Sequence, residues 1–503
     1  MSKVMRGSPK EETLPSDGPT VSIDKAIVEN QQTGSPGCQS GIRLKMYASA
    51  DSQTESPAKR RLPAELTGTA RRIKHMFTGG HLGSDCGSQT EARMKWCPIL
   101  TNSPERLGKV YKIIAERGTR REKKSNEDGS AYAHHVAGQP INKPKNRCES
   151  SLGPRSMDGD VLPFDINRVH LANPIQGNDY INASWITEPA FEIPADLLPP
   201  SHHPQPQHAQ TWIASQGPLD ETGYEFFRLF FHPDPARRPK VIIQLTACME
   251  GSRVKCANYI PSKEEEAKLF RPHRTVPLDS SSSHPKTKWA LPEPDEMRNL
   301  GFIRVTLEGV ESGPVQPPAT NSFYHKNKLL VELLPYQDEY QQKIQPIAQA
   351  RVVHYECISW YDHGTPEFVE PILELISSAK ADSMISSPEE STPRTSPILV
   401  HCSAGVGRTG TLIAIASCTA QLALLNSCHL SERTLKANII SHLILPRLVP
   451  ENGRIAQLPE WLNDDLVART VDFLREQRVL MVQTAGQLDY IYKAVACFAA
   501  SLS

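Results

Sequence analysis

Apolar residues recur along this chain with two periods. Short β-branched and aliphatic runs read as strands. They are Tyr180–Ile186, Thr211–Pro218 with its closing Gly-Pro turn, Lys240–Leu245, Phe302–Val310, Lys328–Leu333, Ala350–Ser359 and Ile398–Val400. Other stretches repeat their apolar positions every three or four residues, as helices do. One opens at Ser103-Pro104-Glu105, a capping hydroxyl followed by proline at the first helical position, and turns Val110, Ile113 and Ile114 inward. Further helices are predicted over Tyr224–Phe231, Phe368–Ala381, Arg408–Leu425, Trp461–Leu480 and Leu488–Ala499. Strands alternating with helices predict an α/β fold, a twisted mixed β-sheet flanked by helices on both faces.

The remaining segments are polar. Residues 1–97 are rich in Ser, Gly, Thr, Pro and charge without either period, so they are expected to form a disordered regulatory tail ahead of a catalytic domain over 98–500. The tail carries Ser8-Pro9, Ser35-Pro36 and Ser56-Pro57, and two basic patches, Lys59-Arg60-Arg61-Leu62 and Arg71-Arg72-Ile73-Lys74. A solvated arm explains them; docking to an acidic groove on a kinase is the sharper alternative. Surface insertions are expected near 117–140, 189–210, 262–300 and 383–397.

Composition narrows the setting. The 503 residues carry 56 Lys and Arg against 56 Asp and Glu, so overall charge gives no reason to expect nucleic acid or another polyanion as partner. Proline, at 42 residues, exceeds the usual share of about 5%, and the mean hydropathy is −0.43, both in keeping with a partly unstructured chain. Eleven cysteines occur without a C-x2-C pair, which fits free thiols in a reducing compartment better than a disulfide framework or a zinc site. The first residues lack the apolar core of a secretion signal. The longest apolar run, Thr411 to Leu425, contains Ser417, Thr419 and Gln421, which predicts a buried helix rather than a membrane span.

The chemistry concentrates in Ile398-Leu-Val-His-Cys-Ser-Ala-Gly-Val-Gly-Arg-Thr-Gly-Thr411. An apolar strand ends at Cys402, five small or flexible residues follow (Ser403, Ala404, Gly405, Val406, Gly407), and a helix starts at Arg408. Amides converging in such a loop, with the helix dipole behind them, attract an anion. The same field lowers the pKa of Cys402 and makes it a nucleophile. Arg408 offers a planar fork for two phosphate oxygens. A cysteine nucleophile inside an arginine and amide cradle indicates phosphoryl transfer through a phosphocysteine.

This stretch closely resembles the phosphate loop of the protein tyrosine phosphatases. Asn178-Asp-Tyr-Ile-Asn-Ala-Ser184, Thr211-Trp-Ile-Ala-Ser-Gln-Gly-Pro218, Met249–Ala257, Trp360-Tyr361-Asp362-His363-Gly364 and Met481–Gln487 resemble further elements of that family, in family order. The resemblance spans roughly 98–500 and implies hydrolysis of phosphotyrosine in proteins. It implies Cys402 as nucleophile, Arg408 as oxyanion holder and Asp362 as general acid. Gln483 would position the hydrolytic water with help from Gln487, and Thr409 would stabilise the departing thiolate. Glu250 would pair with Arg408, Lys255 would approach the acid loop, and His401 would organise the loop backbone. No metal or cofactor is implied. The expected partner is a phosphotyrosine protein, with a mitogen-activated protein kinase as one candidate, in cytoplasm or nucleus, without membrane or nucleic acid.

Two positions depart from the family pattern. Tyr361 stands where the acid loop has proline, so φ is not locked and slower loop closure is expected. Cys148, after Lys145-Asn146-Arg147, stands where an aromatic residue lines the phosphotyrosine slot, which loosens the expectation of tyrosine selectivity. A dual-specificity or phosphoinositide phosphatase and a phosphotyrosine-binding module of negligible turnover are the alternatives. Retention of Cys402, Arg408, Asp362 and Gln483 weighs against the module, which needs neither acid nor water-positioning group.

Overall fold

A computed structural model describes residues 103–127, 130–134, 161–191, 210–277, 287–314, 322–336, 344–385, 394–427, 443–444, 455 and 457–502. Its centre is a nine-stranded sheet. In chain order the strands are β1 (Arg168–Ile175), β2 (Asn178–Thr187), β3 (Thr211–Ser215), β4 (Val241–Gln244), β5 (Ala267–Phe270), β6 (Phe302–Ser312), β7 (His325–Leu334), β8 (Ala348–Glu356) and β9 (Ile398–His401). Their spatial order is β1-β2-β3-β9-β4-β8-β7-β6-β5. The four middle strands, β3, β9, β4 and β8, run parallel, and antiparallel strands extend the sheet on either side.

The helices are α1 (Pro104–Lys124), α2 (Gly223–Arg228), α3 (Pro294–Leu300), α4 (Glu370–Ser383), α5 (Gly407–Ser427), α6 (Leu466–Gln477) and α7 (Ala485–Ser501). They cover both faces of the sheet, as the sequence predicts. Trp212, Ala214, Val241, Ile243, Ile398 and Val400 pack on one side with α1, α4, α5, α6 and α7. Ile213, Ile242 and Leu399, the residues between them, pack on the other with the aromatic residues of α2 and with Leu300 of α3. A strand buried on both faces needs apolar residues at every position, which is why β4 and β9 read as unbroken runs. By length and composition α5 would pass for a membrane span, but most of it is buried in the domain.

Several boundaries differ from the sequence expectation. Residues 117–124, expected as loop, complete α1. Arg117 and Arg121 give that stretch its polar look, yet both are buried against α6. Arg117 forms a two-pronged pair with Asp472 at 2.8 and 2.7 Å, and Arg121 reaches the same carboxylate at 2.9 Å. The stretch 262–300, expected as a surface insertion, contributes the edge strand β5, the helix α3 and a hairpin of Arg274–Pro277 with Thr287–Ala290. Its alternating exposed residues suit an edge strand covered on one side. The loop 383–397 contains a short strand pair, Met384–Ile385 with Arg394–Thr395. The expected tail, the Cys148 segment and most of the insertion at 189–210 lie outside the described residues.

Asp472 is the shared anion of two buried guanidiniums, which hold its carboxyl below the usual range against the opposing effect of burial. Replacing it removes the anion they share and leaves Arg121 with the longer pair to Glu476 at 3.4 Å. Asp472→Ala is expected to cost about 3–5 kcal/mol in denaturant unfolding. A loss of about 1 kcal/mol or less, the scale of a surface pair, would show that α1 docks through Val110 and Ile114 alone.

Candidate active site

Ligand sites in α/β sheets form beyond the carboxyl ends of the parallel strands. β9 lies inside the parallel segment, and Cys402 is the first residue beyond it. The loop from Cys402 to the start of α5 turns on Gly405, whose φ is +73°. A Cβ there would sit 2.1 Å from the Ser215 carbonyl oxygen, so no other residue fits. At Gly407 a Cβ would sit 2.4 Å from Gln483 Oε1, which brings the glutamine segment directly against the N-terminus of α5.

The loop is held from behind. Arg478, fully buried, donates from Nε to the Gly405 carbonyl and from Nη2 to the Ala404 carbonyl, both at 3.0 Å. In a trans peptide the N–H points opposite to its own C=O. Drawing these two carbonyls back onto Arg478 therefore turns the Gly405 and Val406 amides toward the front. Arg478 is itself fixed by Asn182 Oδ1 at 2.8 Å and Ser184 Oγ at 3.1 Å. The Asn-Asp-Tyr-Ile-Asn-Ala-Ser string thus supports the loop through β2.

A second support reaches the Cys402 carbonyl. His401 Nδ1 lies 2.9 Å from Cys402 O, and a carbonyl only accepts, so Nδ1 carries the proton. Nε2 then accepts from the Tyr259 hydroxyl at 2.6 Å. That hydroxyl accepts from His354 Nε2 at 3.1 Å, and His354 Nδ1 accepts from Asn327 Nδ2 at 3.0 Å. The chain runs one way and requires neutral imidazoles. Burial supplies them, lowering His401 to about 4 and His354 to about 3.

The Cys402 thiol is lowered from its ordinary value. Burial opposes this, and the Arg408 guanidinium, the Thr409 hydroxyl and the Thr409 and Val406 amides outweigh it. Arg408 Nη1 donates to Glu250 Oε1 at 2.5 Å and to the Trp360 carbonyl at 2.7 Å, and Nη2 donates to Asp362 Oδ1 at 3.1 Å. Its Nε is buried without a partner, a donor held in reserve for an anion. Asp362 Oδ2 takes Lys255 Nζ at 2.5 Å, and the Asp362 amide donates to Glu250 Oε2 at 3.2 Å. Burial acts to raise the Asp362 carboxyl, but Lys255, Arg408 and His363 hold it below the usual range. Gln487 accepts from the Gln483 and Thr484 amides at 2.9 and 3.3 Å, closing a capping box at the start of α7. Its Nε2, like the Thr409 hydroxyl, is buried without a partner. Among the described residues no group of three His, Cys, Asp or Glu side chains is placed to hold a metal.

The sequence profile of a family described as protein-tyrosine phosphatase matches residues 154–293 and 289–437. Tyrosine-protein phosphatase 1 of Saccharomyces cerevisiae (strain ATCC 204508 / S288c) is 30% identical over 404 residues, which cover 79% of this chain and 95% of the relative. This chain belongs to the protein-tyrosine phosphatase family. Human receptor-type tyrosine-protein phosphatase C is 30% identical over 288 residues, 57% of this chain but 16% of the relative, and human receptor-type tyrosine-protein phosphatase H is 32% identical over 74% of this chain and 22% of the relative. The chain is a phosphoric monoester hydrolase acting on phosphotyrosine in proteins.

Of the residues singled out in the sequence, the phosphatase fold gathers Cys402, Ser403 to Gly407, Arg408, Thr409, Asp362, Glu250, Lys255, Gln483 and Gln487 around the N-terminus of α5. Cys148 lies outside the described residues. Sequence reasoning passed over Arg478, Tyr259 and His354. Arg478 follows an amphipathic helix and reads as surface charge; its place five residues before Gln483, at a helix end, was the available signal.

The Thr409 hydroxyl is among the groups that lower the Cys402 thiol, and a hydrogen bond to a charged group is worth about 1.5–3 kcal/mol. Thr409→Ala is therefore expected to raise the Cys402 pKa by about one unit or more, read from the pH dependence of iodoacetamide alkylation. An unshifted midpoint would show that Arg408 and the amides suffice.

Proposed function

We propose that this phosphatase works through a phosphocysteine at Cys402, with the roles assigned as follows. The substrate phosphate sits on the amides of Ser403 to Gly407 and on the fork of Arg408, whose unpartnered Nε is free to join Nη2. Cys402 thiolate attacks phosphorus, the bond to the tyrosyl oxygen breaks, and Asp362 gives its proton to the leaving phenolate. Water held by Gln483 and Gln487 then attacks phosphorus. Asp362, now a carboxylate, takes the water's proton, the S–P bond breaks, and Thr409 stabilises the returning thiolate. Glu250 orients Arg408, and Lys255 orients Asp362.

The observation that carries this reading is the Asp362–Arg408 contact beside the lowered Cys402 thiol. Lys255 and Arg408 together favour the ionised form of Asp362. A phosphate dianion competes for Arg408, removes one of them and adds negative charge nearby. Both effects favour protonation of Asp362 when the leaving group needs an acid.

The wider role is part of the same proposal. Residues 98–500 form the catalytic domain, and 1–97 a regulatory tail whose basic patches and Ser-Pro sites suit a signalling enzyme acting on a kinase, a mitogen-activated kinase being the candidate, in cytoplasm or nucleus.

The deciding experiment compares matched phosphotyrosine and phosphothreonine peptides with the wild type and Cys402→Ser. Turnover of phosphotyrosine alone, lost in Cys402→Ser, is expected. Turnover of both peptides would make this a dual-specificity enzyme, with Cys148 the position to examine, and binding without turnover would leave a phosphotyrosine-binding module.

A pH profile tests the acid. Activity toward free substrate requires Cys402 ionised and Asp362 protonated, so the optimum of kcat/KM lies midway between their pKa values. Lys255→Met removes a cation that lowers Asp362, and the optimum is expected to move upward. An unmoved optimum would take Asp362 out of the acid role.

A further inference from the structure

The backbone leading into Gln483 is strained. Leu480 and Val482 have φ of +57° and +64°, the left-handed region. For a β-branched residue this is a rare and costly state, of order 1–3 kcal/mol, and it persists only where the surroundings impose it. Two side chains impose it here. Arg475, buried on α6, donates from Nε to the Met481 carbonyl at 2.8 Å and from Nη2 to the Val482 carbonyl at 2.6 Å. Tyr111, on α1, donates its hydroxyl to the Gln483 carbonyl. Its ring lies against the Arg475 guanidinium, 5.9 Å from carbon to centroid. Three successive carbonyls are thereby drawn to one side, while the Val482 amide donates to the Val406 carbonyl at 3.1 Å on the phosphate loop.

We propose that Tyr111 is a positioning residue for the hydrolytic half of the reaction, acting with Arg475 to hold the Met481–Gln483 backbone so that the Gln483 amide faces the attacking water. The proposal rests on the phosphocysteine reading. Its distinctive content is that it separates the two half-reactions. The groups that serve phosphoryl transfer to the enzyme are Cys402, Arg408 and Asp362. They are held by Glu250, Lys255, Thr409 and the Trp360 carbonyl, and none of these contacts passes through Tyr111. The Tyr111 hydroxyl meets the site at the Gln483 carbonyl. Removing it frees the one backbone oxygen of the glutamine that hydrolysis depends on and leaves the first step's geometry in place. It also gives α1 a part in catalysis. The helix is anchored through Arg106 to Asp465 and through Arg117 and Arg121 to Asp472, so the Tyr111 hydroxyl is delivered by a rigid element.

The test is rapid-quench kinetics of the full chain with p-nitrophenyl phosphate, comparing wild type, Tyr111→Phe and Gln483→Ala. Tyr111→Phe deletes one hydroxyl and keeps the ring on Arg475. It is expected to release a burst of p-nitrophenol at the wild-type rate, followed by steady turnover about 3–10-fold slower, the equivalent of one lost hydrogen bond. Acid-stable phosphoenzyme should accumulate in proportion. A burst slowed along with turnover, a change in KM alone, or unaltered turnover would each overturn the proposal. Gln483→Ala separates this from the underlying reading. Phosphoenzyme accumulating there while Tyr111→Phe behaves as wild type defeats only the positioning role. Phosphoenzyme absent from Gln483→Ala removes the phosphocysteine reading and the proposal with it. Arg475→Lys, which keeps the charge but loses the fork, is expected to move the same ratio in the same direction.

Discussion

A guanidinium stripped of water sets the terms for the active site. Arg408 is 1% exposed, and burying an unpaired cation is prohibitive. Its neighbours are therefore constrained to supply negative charge. Glu250 does so from a hairpin after β4, Asp362 from the loop after β8, and the Cys402 thiolate from the end of β9. These groups come from three parts of the chain, and the charge they share holds those parts together. Lys255 contributes a second cation, placed on Asp362 rather than on the thiolate. With Cys402 ionised the cluster holds two positive and three negative groups. A phosphate dianion enters such a cluster most easily if Asp362 takes up a proton, which is the state the acid role proposed for it requires. Under that proposal, binding and acid activation are one electrostatic event.

The loop beneath that charge is shaped by carbonyls more than by side chains. Arg478 draws back Ala404 and Gly405, and His401 draws back Cys402. Each carbonyl removed from the front leaves an amide free to face an anion. The cost is borne by buried polar groups on the far side, and every link from His401 to Asn327 is satisfied by a partner of the right sense. Networks of this kind are rigid because a partial break leaves a buried donor or acceptor without a partner.

Much of this was legible in the sequence where partners are local. The phosphate loop lies within a dozen residues, so its strand, glycines, arginine and helix could be read together. Thr484 and Gln487 announce their capping box by spacing alone. What escaped depends on distant partners. Arg117 looks like a loop residue until Asp472, 355 positions away, is placed beside it. The edge strand β5 has little apolar content because one side faces water. Tyr259 and His354 carry no local sign of their targets, since a polar side chain's partner is fixed by the fold and not by its neighbours in sequence. Val482 is the clearest case: nothing about a valine foretells a left-handed backbone, which exists because Arg475 and Tyr111 hold it.

The substitution of Tyr361 for the family's proline is bounded by the same logic. Trp360 is fully buried, its indole N–H donates to the Gly364 carbonyl at 2.9 Å, and its own carbonyl is taken by Arg408. The Gly364 amide closes the turn on the Tyr361 carbonyl at 3.1 Å. The Tyr361 side chain is 74% exposed and adds little packing to this arrangement. The loop's conformation is therefore specified on either side of residue 361, by an anchored indole and a buried charge. A proline at a compatible position acts mainly by restricting the alternative states, an effect of about 0.4–1 kcal/mol, or roughly two- to fivefold in population. A deficit of that size slows an enzyme without silencing it. The tyrosine thus bears on how often the loop holds this conformation, while the bond from Arg408 to the Trp360 carbonyl fixes the conformation itself.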